Sequence, residues 1–258
     1  MSAPAWFKDL LYYKASGNQA TWKAIGLSVA PNIADISNAP STRISNAVFE
    51  SLNVTAGLNG RKEGGTGTGI GLPLEEGVKG HLRSRLLDPK DADWTWRVGA
   101  EPIDRFEQYS YLDDIRKLYA EQPNLRLLLG TDYQIQPDVT VGKRIGAAML
   151  LHAVVSCKWT IRSDRVQNVR QEFKLLVGAR RGRTPHLVAV TAEPLPSRLL
   201  SITQGTGEID AVYHLAFQEM KEAVPAHGTS EQIAAWNEMT EQRRLKDFND
   251  LVGDLTRG

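Results

Sequence analysis

The spacing of apolar and polar side chains divides the chain into two halves of different character. In the first half apolar positions recur at helical intervals. They predict a helix over 6–15, a turn-rich stretch marked by Pro31, Asn32, Asn38 and Pro40, and a second helix over 45–52. A glycine-rich run, GGTGTGIG at 64–71, separates these from two further predicted helices, one over 74–87 that opens with Glu75 and Glu76 and one over 107–121. The second half carries short β-branched and apolar runs at 138–141, 150–157 and 187–192, with the length and composition of strands. A polar, amphipathic stretch at 164–177 lies between the last two, so the order reads strand, strand, helix, strand. The apolar run at 209–217 passes from strand into helix, and 230–246 reads as helical again. The expected architecture is α/β: one domain over 1–258, with a central mixed β-sheet at about 126–220 flanked by helices in an N-terminal part (about 1–125) and a C-terminal part (about 221–258).

Size supports a single large core. A chain of 258 residues buries roughly 70–75% of the surface its unfolded form exposes, enough to fold without disulfide or zinc staples. The one cysteine, Cys157, excludes an intrachain disulfide and any multi-cysteine zinc site, which suits a reducing compartment. No run approaches the ~18 uninterrupted apolar residues of a membrane span. The N-terminus also lacks the order of basic, apolar and small-residue regions of a signal peptide. The expected location is the cytoplasm, with no membrane partner. The glycine run is preceded by Arg61, Lys62 and Glu63 rather than an apolar strand, and it has neither dinucleotide-loop nor P-loop spacing. It therefore reads as a flexible loop rather than a phosphate cradle.

Charge changes this picture only when it is resolved along the chain. The total is +1, from 31 basic and 30 acidic residues. Between Lys143 and Arg183, however, ten basic side chains face two acidic ones, Asp164 and Glu172. That segment carries +8 and the remainder −7. A polyanion-binding centre inside an otherwise acidic chain produces this pattern, and so does a solvated basic face.

The basic segment also holds the candidate chemistry. Pro137-Asp138 opens one predicted strand and Ser156-Cys157-Lys158 closes the next. Strand side chains alternate, so Ser156 and Lys158 share a face and Cys157 points away as a small buried residue rather than a nucleophile. Asp138 beside Lys158 would combine a hard oxygen ligand for Mg²⁺ with a cation for a phosphate, as metal-dependent phosphodiester hydrolysis requires; an ordinary ion pair has the same composition. Glu172, with thirteen residues between it and Lys158, could bring a second carboxylate from the following helix. Its alternative is a solvated glutamate paired with Arg165 or Arg170. Arg162-Ser163-Asp164-Arg165 stands where that helix should begin. Asp164 with Gln167 resembles a capping box. The same residues would also suit a major groove, where arginine bonds guanine twice and aspartate accepts from cytosine.

Taken together, GTDYQIQPDVTV, LLHAVVSCKWTIRSDRVQNVRQE and GRTPHLVAVTAEPLPSRLLSITQGTGEIDAVYHLAFQE resemble the NgoMIV-type restriction endonucleases, type II enzymes that recognise sites with a CCGG core. The similarity is close over 130–219, with weaker echoes in SNAPSTRIS and RRLKDFNDL. It implies a restriction-endonuclease-like fold and a place in a restriction-modification system. The implied activity is Mg²⁺-dependent cleavage of double-stranded DNA at a palindrome, leaving 5′-phosphates, with two ions per active site. The partner would be a second copy of the chain, in a homodimer at minimum and by resemblance a homotetramer. Carried over by residue, the resemblance makes Asp138 and Glu172 the metal-binding carboxylates, joined by the Cys157 backbone carbonyl. Lys158 becomes the catalytic cation, Ser156 holds the position where related nucleases carry a carboxylate, and Glu75 is a further active-site glutamate. Arg162, Asp164 and Arg165 would read the CCGG core, and Arg198 and Asp35 the outer bases, Arg198 favouring GCCGGC. One departure is the connection from Asp138 to Lys158, nineteen residues where family members have more, which bears on oligomer contacts. Two other functions compete: a sequence-specific DNA-binding protein without cleavage, which has no need of the set Asp138, Lys158 and Glu172, and a repair nuclease of the same fold, which leaves the Arg-x-Asp-Arg cluster unused.

Overall fold

The computed structural model describes residues 2–15, 29–55, 69–88, 95–122, 124, 135–205 and 207–257. The glycine run at 64–68 and the start of the close resemblance, 130–134, lie outside the described residues. In chain order the elements are α1 (Ala5–Lys8), β1 (Tyr13–Ala15), β2 (Val29–Pro31), α2 (Ala39–Ser51), α3 (Gly71–Leu86), β3 (Trp96–Gly99), α4 (Tyr111–Glu121), β4 (Val139–Ile145), β5 (Ala148–Lys158), α5 (Ser163–Ala179), β6 (His186–Thr191), α6 (Pro196–Thr203), β7 (Ala211–His214), α7 (Phe217–His227), α8 (Ser230–Glu241), β8 (Leu245–Asp247) and α9 (Leu251–Thr256).

Six strands form one sheet in the order β3-β4-β5-β6-β7-β8, and β1 and β2 make a separate antiparallel pair. The β3–β4 and β4–β5 pairs are antiparallel, whereas β5 through β8 pair in parallel, so the sheet is mixed. Seven successive residues of β5, Leu151–Cys157, are buried, as are all four of β7. Such two-sided burial goes with near-continuous apolar sequence and with helices on both faces. α3 packs on β3, β4 and β5 through Leu74, Val78 and Leu82. α5 turns Val166, Val169, Phe173 and Leu176 inward at helical spacing. A tight hairpin joins β4 to β5, and Gly146 sits there with φ +60, a conformation that costs glycine little.

The central mixed sheet flanked by helices is therefore as expected, while several elements differ from the pattern reading. Of the segment 6–15 only the first three residues are helical, in α1. The chain then straightens because Asn32 bridges it, its Nδ2 donating to the Leu10 carbonyl at 2.9 Å and its Oδ1 accepting from the Tyr12 N–H at 3.4 Å, and Tyr13–Ala15 pairs with β2. α2 starts six residues before the predicted 45, where Asn38 caps the Ser41 N–H at 2.9 Å and Pro40 occupies the first turn. The predicted helix at 107–121 is interrupted. Gln108 and Tyr109 form a tight turn and are buried, and the Gln108 amide exchanges two hydrogen bonds with the Leu151 backbone (2.9 and 2.8 Å). The helix at 230–246 stops at Glu241; Arg243 takes φ +55, and the chain returns to the sheet as edge strand β8. The flanking parts thus each add a strand, β3 and β8, to the central sheet. α6 follows Glu193 and Pro194 and opens on Pro196, a region the periodicity did not resolve.

Candidate active site

Sheet register assembles the first cluster. Val139 pairs with Val155 in the antiparallel β4–β5 ladder, which sets Asp138 beside Ser156 and just short of Lys158. Three donors converge on Asp138 Oδ2: the Lys158 ammonium at 2.6 Å, the Cys157 N–H at 2.7 Å and the Ser156 hydroxyl at 3.3 Å. The strand alternation is as read from the sequence, with Ser156 and Lys158 turned to Asp138 and the Cys157 thiol buried in the core. Burial first, then the Asp138 charge, pushes that thiol's pKa well up, which leaves it a poor nucleophile at neutral pH.

The second carboxylate arrives from α5. Glu172 is three residues after Val169 and next to Phe173, so the buried stripe of the helix carries it toward the sheet. Its Oε1 is buried and has no hydrogen-bond partner among the described residues. Burial, and after it the Asp138 charge, raises its pKa to about 7, against the opposing pull of Lys158. The two arginines named as its alternative partners are occupied elsewhere: Arg165 donates to the Thr160 carbonyl at 2.7 Å and hydroxyl at 3.0 Å, and Arg170 to the Ser201 carbonyl at 2.9 Å. The solvated-helix reading of Glu172 does not fit these contacts. Glu75, in the second turn of α3, faces the same charges; burial and then Asp138 raise its pKa, and Lys79 and Lys158 oppose. Lys79, one turn further on, is buried beneath its ion pair with Glu76. The pattern reading passed over it because a helix lysine is usually solvated.

A buried carboxylate oxygen without a partner, close enough to feel a second carboxylate and an ammonium, is the donor set of a hard divalent cation. Among the described residues no three carboxylate, imidazole or thiol groups stand close enough to cage a metal by themselves.

The arginine cluster begins α5. Arg162 is the N-cap residue and makes no side-chain cap bond, so the capping box expected from Asp164 and Gln167 does not form; the helix starts two residues too early for it. Instead Asp164 pairs with Arg162 at 3.0 Å in an exposed position, while Arg165 is held against Thr160. The two outer-base candidates are brought together, Arg198 at the start of α6 and Asp35 in the loop before α2 forming a half-buried ion pair. Burial alone would raise the Asp35 carboxyl, but hydrogen bonds from Ser37 and the Arg198 guanidinium hold it below its ordinary value.

Comparison with known proteins bears on what this arrangement serves. A family model described as NgoMIV restriction enzyme matches residues 17–148 and 142–257. The type II restriction enzyme NgoMIV of Neisseria gonorrhoeae is 36% identical over 256 residues, covering 86% of this chain and 88% of that protein. Among solved structures, the pre-specific restriction endonuclease BsaWI in complex with DNA matches at TM-score 0.31 and 10% identity, over 68% of this chain and 64% of that one. So loose a superposition leaves the fold to be judged from the sheet itself.

Proposed function

The chain belongs to the NgoMIV restriction enzyme family, and on that premise we propose that it hydrolyses double-stranded DNA at a palindrome with a CCGG core, using Mg²⁺ and leaving 5′-phosphate ends. It is a site-specific deoxyribonuclease by that membership, and the finer reading rests on the cluster at the end of β5. The observation that carries it is the pairing of Asp138, whose Oδ2 gathers Lys158, Cys157 and Ser156, with the buried, unpartnered Oε1 of Glu172. Asp138, Glu172 and the Cys157 backbone carbonyl would hold the cation, two per site in the fullest form. Bound there, Mg²⁺ supplies Lewis-acid stabilisation of charge gathering on the phosphate and acidifies adjacent water.

The chain's own groups do the rest. The Cys157 N–H and the Ser156 hydroxyl fix the orientation of the Asp138 carboxylate and so would preorganise it as a ligand. Lys158 holds its ammonium at the same oxygen, where it would offset the negative charge of a phosphate brought to the site. Glu75 adds a carboxylate from α3. Arg162 and Asp164 are exposed and form an ion pair with each other, a contact that both could exchange for base edges, Arg162 to guanine and Asp164 to cytosine, with Arg165 beside them. The Arg198–Asp35 pair reads the outer position, favouring GCCGGC. A palindrome requires two-fold symmetry in the protein, so the working form is a homodimer at least, with a tetramer as the resemblance implies. No helix of the described residues is long and apolar enough to cross a membrane, and we place the enzyme in the cytoplasm.

The test is Asp138→Ala, assayed for plasmid cleavage with Mg²⁺ and, separately, for binding to a CCGG duplex. The expected result is abolished cleavage with binding retained. Cleavage at the wild-type rate would show that the metal site lies elsewhere.

A further inference from the structure

Glu193 has no part in the chemistry described so far, yet it is fully buried in the segment that links β6 to α6. Its two oxygens take hydrogen bonds from two separate stretches of chain. Oε2 accepts from the Ile161 N–H at 2.8 Å, and Oε1 from the Leu195 N–H at 3.0 Å. Ile161 immediately precedes Arg162, and Leu195 is the N-cap residue of α6, three before Arg198.

The backbone around Glu193 is tied to the same regions. Its N–H donates to the Thr191 hydroxyl at 3.1 Å, and its carbonyl accepts from the His214 Nε2 at 2.9 Å. The neighbouring Ala192 N–H donates to the carbonyl of Trp159, the residue after Lys158, at 3.1 Å. The Trp159 indole in turn donates to the Asn32 carbonyl at 3.3 Å, three residues before Asp35. One buried carboxylate and its immediate neighbours therefore join the exit of the catalytic strand, the entry to α5, the start of α6 and the loop that carries Asp35.

A carboxylate is a costly filler, since an apolar side chain of similar volume is often as stable or more so in a buried position. Burial raises the Glu193 pKa to about 7, and the two backbone donors pull against that rise. Each donor comes from a segment bearing proposed base contacts, which gives the cost a purpose beyond stability.

We propose that Glu193 is a positioning residue for sequence discrimination, fixing the entry of α5 with Arg162, Asp164 and Arg165 relative to the start of α6 with Arg198, so that inner and outer contacts meet the duplex in one register. This rests on the reading of those four residues and Asp35 as base contacts. The role is indirect: the carboxylate touches no DNA and acts through two backbone N–H groups. Glu193→Gln keeps the shape and one acceptor but sets an amide NH₂ against the other N–H, whereas Glu193→Ala removes both acceptors.

The experiment compares single-turnover cleavage of four duplexes that differ only outside the core, GCCGGC, ACCGGT, CCCGGG and TCCGGA, and of a fifth with an altered core, GCGCGC, by wild type, Glu193→Gln, Glu193→Ala and the control Arg162→Ala, with thermal unfolding of each. The expected result is a folded Glu193→Gln enzyme whose preference among the four narrows by about tenfold, the scale of one displaced base contact. A residue that only stabilised the fold would lower the unfolding midpoint or the active fraction and leave that preference intact. Glu193→Gln discriminating as sharply as a wild type that itself discriminates would overturn the role of Glu193 alone. A wild type indifferent to all four duplexes, or an Arg162→Ala enzyme with unaltered core specificity, would overturn the base-contact reading on which the proposal stands.

Discussion

Replacing Glu172 by glutamine should make the cation-free protein more stable at pH 8 while removing its response to Mg²⁺. In the unfolded chain the carboxyl ionises at its ordinary value of 4.5, whereas in the fold burial and the nearby Asp138 charge raise it to about 7. Between those pH values the folded protein keeps a proton that the unfolded chain has released, so raising the pH favours unfolding. The penalty is absent below 4.5, grows through the interval and is complete above about 7. At roughly 1.4 kcal/mol per pKa unit it amounts to about 3 kcal/mol at pH 8. For a protein of this length that is on the order of 5–10 °C in melting temperature. The Glu172→Gln side chain is neutral throughout and escapes the penalty. On the proposed reading the wild type should recover it with Mg²⁺, which at about a hundred times its dissociation constant would add about 2.7 kcal/mol. Thermal unfolding of both proteins at pH 5 and pH 8, with EDTA and with Mg²⁺, measures the four-way comparison. The expected pattern is a variant more stable than wild type only at pH 8 in EDTA, and a Mg²⁺-induced shift only in the wild type. A variant no more stable at pH 8, or equally more stable at pH 5, would refute the reasoning.

Arg162→Ala should weaken binding to a CCGG duplex by about 1–3 kcal/mol for each base that the side chain no longer reaches, measured by competition against an unrelated duplex, and unchanged specificity would remove Arg162 from the reading set. Gly77 packs against Trp6 so closely that a Cβ would lie 2.2 Å from the indole ring. Gly77→Ala should therefore destabilise the α1–α3 contact by roughly 1–3 kcal/mol of overpacking, against its gain in helix propensity; a higher melting temperature would show that the ring moves aside freely.

How much of this was legible in the sequence depends on the range of the interactions involved. The strand-strand-helix-strand order and the shared face of Ser156 and Lys158 follow from local periodicity, and the structure has them. The approach of Asp138 to Lys158 needed only the pairing of adjacent strands in a hairpin. What local pattern missed was set by partners far along the chain: Asn32 straightening residues 10–12, Gln108 breaking a helix to bond Leu151, and the return of 245–247 to the sheet edge. The buried state of Glu172 was half legible, since its place beside Val169 and Phe173 puts it on the inward stripe, but its lack of a partner depends on where Arg165 and Arg170 go. Glu193 carried no signal, because an acidic residue between a strand and two prolines reads as a loop. Its meaning appears only when Ile161 and Leu195 come to it. Similarly, nothing in the spacing of Asp35 and Arg198, 163 residues apart, foretells their ion pair.

The central claim is that the cluster at the end of β5 cuts DNA at sites chosen by the start of α5. Digestion of a plasmid of known sequence by the wild-type protein, with Mg²⁺ and with EDTA, followed by sequencing of the ends, addresses both halves at once. Cleavage only with Mg²⁺, at 5′-phosphate ends that map to palindromes containing CCGG, is the predicted result. Ends scattered without regard to CCGG, or intact plasmid in the presence of Mg²⁺, would contradict it.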